Sequence, residues 1–170
     1  MDPQARTGGE LLVDALKVHG VDTIFGIPGE SYLATLDALH AAMTAVVASG
    51  SRAEQLALLR AHPDLGTRAR MSDASRGEQT GAGLDALSAD EFDRLQALNS
   101  AYREKFGFPF LYAVRGLQHH RAEDAKAGST AAQILTALED RLPRSRDEER
   151  AQALQQVSRI ARFRLEEMID

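Results

Sequence analysis

The side chains with the most chemical potential fall in four short stretches. His62 lies in Ala61-His-Pro-Asp-Leu-Gly66, where Pro63 pushes the histidine out of helical geometry and towards an extended conformation. Its ring is therefore expected at a helix end. Histidine exchanges protons near neutrality without strong tuning, which makes it a candidate general acid or base; the alternative is a cap on the helix containing Leu56 and Leu59. Ser75-Arg76-Gly77-Glu78-Gln79 offers a carboxylate and an amide that could orient a histidine and read the polar edge of a heterocycle. Ser75 with Glu78 is equally a capping box. Phe110, Leu111, Tyr112, Ala113 and Val114 follow Gly107 and Pro109, and an extended strip there could pair its N–H and C=O groups with a flat ligand. The same apolar residues would also suit a core. Arg164 falls on the helical stripe of Leu154, Val157, Ala161 and Met168. A buried guanidinium needs an anion, either one of the protein's own carboxylates or a substrate carboxylate or polarised carbonyl held bidentately.

Helices must position these groups. Ser88-Ala-Asp-Glu91 predicts a capping box, after which Phe92, Leu95, Leu98, Tyr102 and Phe106 form an apolar face that Gly107 ends. Thr130-Ala-Ala-Gln133 and Ser145-Arg-Asp-Glu148 repeat the device ahead of two more helices. Tyr32, Leu36, Leu39, Met43 and Val46 make an apolar stripe that is expected to be buried. Only Val21 to Phe25 and Phe108 to Val114 look extended, and Pro109 makes the second a loop or edge segment.

Composition narrows the function classes. With 170 residues, 44% hydrophobic and 26% charged, the chain predicts one ordinary globular domain. The net charge of −5 and the absence of Trp disfavour nucleic acid. No apolar run reaches a membrane-spanning length and no signal-like segment opens the chain, which predicts no membrane association and a cytoplasmic location. Zero Cys excludes thiolate nucleophiles and thiolate metal sites. The histidines His19, His40, His62, His119 and His120 show no metal-ligand spacing, so no metal is expected.

In combination the motifs His-Pro-Asp-Leu, Ser-x-x-Glu-Gln, Leu-Asn-x-x-Tyr-x-x-Lys-Phe-Gly-Phe-Pro-Phe and the terminal Arg-x-Arg-Leu resemble one family, the 2-oxo-4-hydroxy-4-carboxy-5-ureidoimidazoline (OHCU) decarboxylases of urate breakdown. The resemblance covers about residues 37–170. It implies an all-α bundle, commonly a homodimer, that decarboxylates a ureidoimidazoline to (S)-allantoin without metal or organic cofactor. By it His62 is the catalytic acid and Glu78 assists. Pro63, Ser75, Arg76, Gly77, Gln79, the strip Phe110, Leu111, Tyr112, Ala113, Val114, and Arg164 hold the substrate.

The opening departs from that pattern. Residues 7–40, TGGELLVDALKVHGVDTIFGIPGESYLATLDALH, resemble the start of thiamine-diphosphate enzymes of the acetolactate synthase type, and predict an α/β-like segment over 1–36 ahead of the helical domain 37–170. The activating glutamate and metal–diphosphate motif of those enzymes have no counterpart in these residues. Two rival readings follow: a non-catalytic helical interaction module, and a truncated thiamine-diphosphate enzyme fragment.

Overall fold

The computed structural model describes residues 6–24, 32–66, 84, 87–114 and 130–168. Over these it is helical: α1 (Gly8–Val18), α2 (Leu33–Ser49), α3 (Arg52–Arg60), α4 (Ala89–Phe106), α5 (Thr130–Arg141) and α6 (Arg146–Glu166). No strand forms among the described residues. Val21–Ile24, expected to be extended and β-like, pairs with nothing as a strand, and Phe25 and the Gly26-Ile-Pro-Gly29 turn lie outside the described residues. Among the described residues no strand lies beside this run, and the Val21 N–H instead donates to the Leu16 carbonyl at 3.0 Å, at the end of α1.

Local chemistry sets the helix ends. Thr7 with Glu10, Ser51 with Glu54 and Ser88 with Glu91 form reciprocal capping boxes at α1, α3 and α4. Ser145 and Glu148 make the corresponding bonds before α6. Each cap satisfies backbone N–H groups that the first turn leaves unpaired. α4 ends as its sequence predicts, on Gly107 at φ 80°, which only a glycine occupies without strain. α5 begins at Thr130 itself, so its cap position lies outside the described residues.

The chain divides into two compact units. One comprises residues 51–157. Its core joins Leu59 and Leu65 to Leu95 and Tyr102 of α4, Phe110 and Val114 of the strip, and Ile134 and Leu138 of α5. Aromatic rings dominate its centre: Tyr102 meets Phe106 at 4.6 Å between centroids and Phe110 edge-on at 5.3 Å.

The other unit comprises residues 1–50 and 158–170. α1 lies against α2 at Gly9, where a Cβ would stand 2.2 Å from the Ala34 carbonyl oxygen. The end of α6 is tied to α2 by His40 Nε2, 2.9 Å from the Ser158 carbonyl oxygen, and by Arg162 with Asp37 at 3.3 Å. Residues 36 and 37 both lie within α2. The stripe expected to be buried along α2 is half-buried at Leu36 and Leu39 and exposed at Tyr32, Met43 and Val46, the last two 47% and 66% accessible, and Ala38 is the buried residue. The small Ala38 marks the part of α2 that is turned most fully inward.

Candidate active site

His62 stands just past the end of α3, half-buried, with Pro63 after it as the sequence predicts. Its Nδ1 lies 2.9 Å from the Leu58 carbonyl oxygen. A carbonyl can only accept, so Nδ1 carries the hydrogen and Nε2 is the ring nitrogen left to exchange a proton with a ligand. The capping alternative is thus also realised, on one nitrogen, and it fixes the tautomer that the other would use.

α4 grips the turn that follows. Asn99 Nδ2 donates to the Leu65 carbonyl at 2.9 Å in a buried bond, and Arg103, one helical turn on, pairs with Asp64 at 2.8 Å. Gly66 closes the turn at φ 74°. The Leu-Asn-x-x-Tyr motif therefore has a structural role, in which Asn99 holds the His62 turn and Tyr102 enters the core.

The strip is buried at Phe110, Leu111, Ala113 and Val114 and half-buried at Tyr112. The sequence predicts a strip whose backbone groups are free for a ligand, but two of them are already bonded to side chains. Arg141 Nη1 donates to the Leu111 carbonyl at 2.8 Å, and the Ala113 N–H donates to Gln156 Oε1 at 3.0 Å. Arg141 is 4% exposed, lies 4.5 Å above the Phe110 ring and donates through Nε to Glu149 Oε1 at 2.7 Å. Glu149 is fully buried and also accepts from the Tyr102 hydroxyl. Burial first, then that bond to Glu149, pushes the Tyr102 hydroxyl far above its ordinary range, so it remains a donor.

These groups escaped the sequence reading. Arg141 ends an amphipathic helix, and Glu149 sits in Arg-Asp-Glu-Glu-Arg, a run that reads as a solvated face. The signal that could have found Glu149 is its step of four to the buried Ala153.

Of the predicted site residues, His62, Pro63 and Phe110–Val114 are parts of the unit 51–157, joined through the core cluster that holds both Leu65 and Phe110. Arg164 belongs to the other unit, half-buried on α6 and not without a partner. Ser75, Arg76, Gly77, Glu78 and Gln79, and the pair His119-His120, lie outside the described residues. Among the described residues no group of three His, Asp or Glu side chains is placed to hold a metal ion.

The helical arrangement is similar to that of a solved structure described as (S)-allantoin synthase, at 31% identity and a TM-score of 0.59, over 94% of this chain and 43% of that one. The chain thus spans less than half of that solved chain. The family model for OHCU decarboxylase matches residues 27–166, and the chain belongs to this family. The 2-oxo-4-hydroxy-4-carboxy-5-ureidoimidazoline decarboxylase of Halalkalicoccus jeotgali is 44% identical over 139 residues, 82% of this chain and 72% of that protein. The uric acid degradation bifunctional protein of Bacillus subtilis is 42% identical over 135 residues, 79% of this chain and 25% of that protein. The family match begins at residue 27 where the resemblance read from the sequence began at 37, so the start of α2 falls inside the family.

Proposed function

We infer that the protein decarboxylates 2-oxo-4-hydroxy-4-carboxy-5-ureidoimidazoline to (S)-allantoin in urate breakdown. The family match over residues 27–166 carries this reading, and the fixed His62 tautomer supports it. In the reaction the bond to the carboxylate breaks, CO₂ leaves, and its electron pair moves into the ring as the neighbouring C=N accepts a pair and a proton. The hydroxyl-bearing carbon becomes an enol carbon. Return of the enol to a ketone then places one proton on the ureido-bearing carbon, and the face that receives it fixes the hand of allantoin. The substrate is its own electron sink, so what remains for the protein is to orient the ring and move protons.

In this reading His62 Nε2 moves the proton, with Glu78 assisting. Pro63, Ser75 to Gln79, Phe110 to Val114 and Arg164 hold the ring and its carboxylate. The strip supplies shape and its remaining backbone groups, since Arg141 and Gln156 occupy the Leu111 carbonyl and Ala113 N–H. Arg141 and Asn99 are positioning residues: one fixes the strip, the other the His62 turn.

The test is freshly generated substrate with and without protein, with product followed by circular dichroism. The expected result is CO₂ loss faster than the spontaneous rate and a single enantiomer. A rate equal to the spontaneous one overturns the reading. His62→Ala should lower kcat by about 10²- to 10⁴-fold with unchanged far-ultraviolet dichroism.

A homodimer belongs to the same proposal. Its support is the apolar surface of the unit containing residues 1–50, where Leu11, Val18, Ile24, Leu33, Met43 and Val46 are exposed. Light scattering should give twice the chain mass, reduced by Met43→Lys with Val46→Lys.

A further inference from the structure

A cavity of about 210 Å³ within the unit 51–157 is walled by Arg52, Arg60, Lys105, Arg146 and Arg150, with Glu104 the acid among its lining residues. Phe106 and Leu56 supply an apolar side. Five cations around one small hollow is an unusual concentration in a chain of net charge −5.

The protein orients these cations without neutralising most of them. Arg60 Nε donates to the Gly107 carbonyl at 2.9 Å, Lys105 Nζ to the Leu142 carbonyl at 2.6 Å, and Arg146 Nε to the Lys105 carbonyl at 3.0 Å. Arg150 donates to the Gln55 side-chain carbonyl. All four acceptors are uncharged. Outside the lining, the Asp147 carboxylate lies 3.0 Å from Arg52 and 3.9 Å from Arg150. Arg150 Nε, the atom that stands 3.9 Å from Asp147, is buried with no partner at hydrogen-bond distance among the described residues. Such an atom costs free energy unless something accepts its proton.

Helix stability does not explain the arrangement. Arg52 and Arg146 are the first residues of α3 and α6, where the helix dipole disfavours a cation. Arg52, Arg60 and Arg146 stand exposed around the hollow, and Lys105 and Arg150 are half-buried in it.

We propose that this cavity binds a small multivalent oxyanion of the phosphate class. Its size sets the class, because about 210 Å³ is the share of about seven waters and lies below the range of about 300–1,000 Å³ that takes a drug-sized molecule. A phosphoryl group has oxygens for donors on several sides, whereas a single-atom anion such as chloride has no pair of oxygens to match a forked guanidinium. The site does not depend on the decarboxylase reading, and its test needs no substrate.

The full chain is titrated calorimetrically with inorganic phosphate and, separately, with glycerol phosphate, against chloride at matched ionic strength. Saturable binding of one equivalent and a rise in melting temperature are expected with phosphate, and neither with chloride. The tighter of the two ligands identifies free phosphate or an ester's phosphoryl head as the occupant. Arg52→Gln combined with Arg150→Gln should weaken binding by about tenfold or more, the loss of charge-assisted hydrogen bonds. Glu104→Gln should tighten it, a direction that general destabilisation cannot produce and that keeps the idea testable if the double variant folds poorly. No saturable effect beyond chloride, or affinity unchanged in the folded arginine variant, overturns the proposal.

Discussion

Arg141 shows what a single buried charge implies. It and Glu149 are nearly inaccessible, and their pairing is completed by the Leu111 carbonyl, the Tyr102 hydroxyl and the Phe110 ring. Breaking such a pair strands the remaining charge, so Arg141→Leu should cost about 3–5 kcal/mol in chemical denaturation. Replacing both partners by apolar residues should recover most of that loss, because no lone charge is left inside. Arg141→Lys should keep part of the stability yet raise KM, because a point charge cannot bond Glu149 and the Leu111 carbonyl with the same planar fork. Equal kinetics in the folded Lys variant would show that the strip needs no such support. A smaller cost belongs to Asn99→Leu, about 1–3 kcal/mol, for leaving the buried Leu65 carbonyl unpaired. His62 was legible in the sequence because its geometry is dictated by its neighbour Pro63. Arg141 and Glu149 were not, because their burial depends on α5, α6 and the strip meeting in three dimensions.

Helix termini were the most readable elements, since a capping box is complete within four residues. The device at Ser88–Glu91 and Ser145–Glu148 is as the sequence predicts, and the same device at Thr7–Glu10 and Ser51–Glu54 was equally available but unread. The α2 stripe misled because large apolar side chains at helical spacing mark a face without saying what covers it. The boxes set a pH dependence. The Ser51, Ser88 and Ser145 hydroxyls, and then their backbone N–H groups, hold the carboxyls of Glu54, Glu91 and Glu148 below the usual glutamate range. A folded-state value below the unfolded one means stability that is complete above the unfolded pKa of about 4.3 and lost as pH falls through the folded value. The melting temperature should therefore fall on acidification from about pH 5 towards pH 3, and less steeply in Glu91→Gln, which keeps an acceptor but does not titrate. An unchanged slope in that variant would remove Glu91 from the account. Two glycines give an opposed pair of predictions in α1. A methyl group added at Gly8 would meet nothing within 4 Å, so Gly8→Ala should stabilise by up to about 1 kcal/mol through helix propensity. Gly9→Ala gains the same propensity but drives its Cβ to 2.2 Å from a main-chain oxygen, and the overpacking cost of about 1–3 kcal/mol should win.

At the scale of the whole molecule the question is what the first residues contribute. They read from the sequence as a thiamine-enzyme-like segment, expected to be the least well packed part and removable at little cost. Most of its large side chains fit that expectation, since Leu11, Leu12, Val18, Val21 and Ile24 are exposed. Gly9 and Val13 do not, because both are buried and Gly9 lets α1 approach the α2 backbone. α2 begins within the family match, so α1 covers an element that belongs to the decarboxylase family and not to the preceding stretch. Deleting residues 1–28 should therefore lower the melting temperature by several degrees, as uncovering a helix face of about 1–2 kcal/mol would require. Thiamine diphosphate with Mg²⁺ should leave the full-length melting temperature unchanged. Parallel melts of the two chains, with and without that cofactor, separate the possibilities. An unchanged melting temperature on deletion would make α1 a passenger, and a cofactor-induced rise would show that the opening residues bind thiamine diphosphate; a fall on deletion alone would mark α1 as the cover that α2 needs.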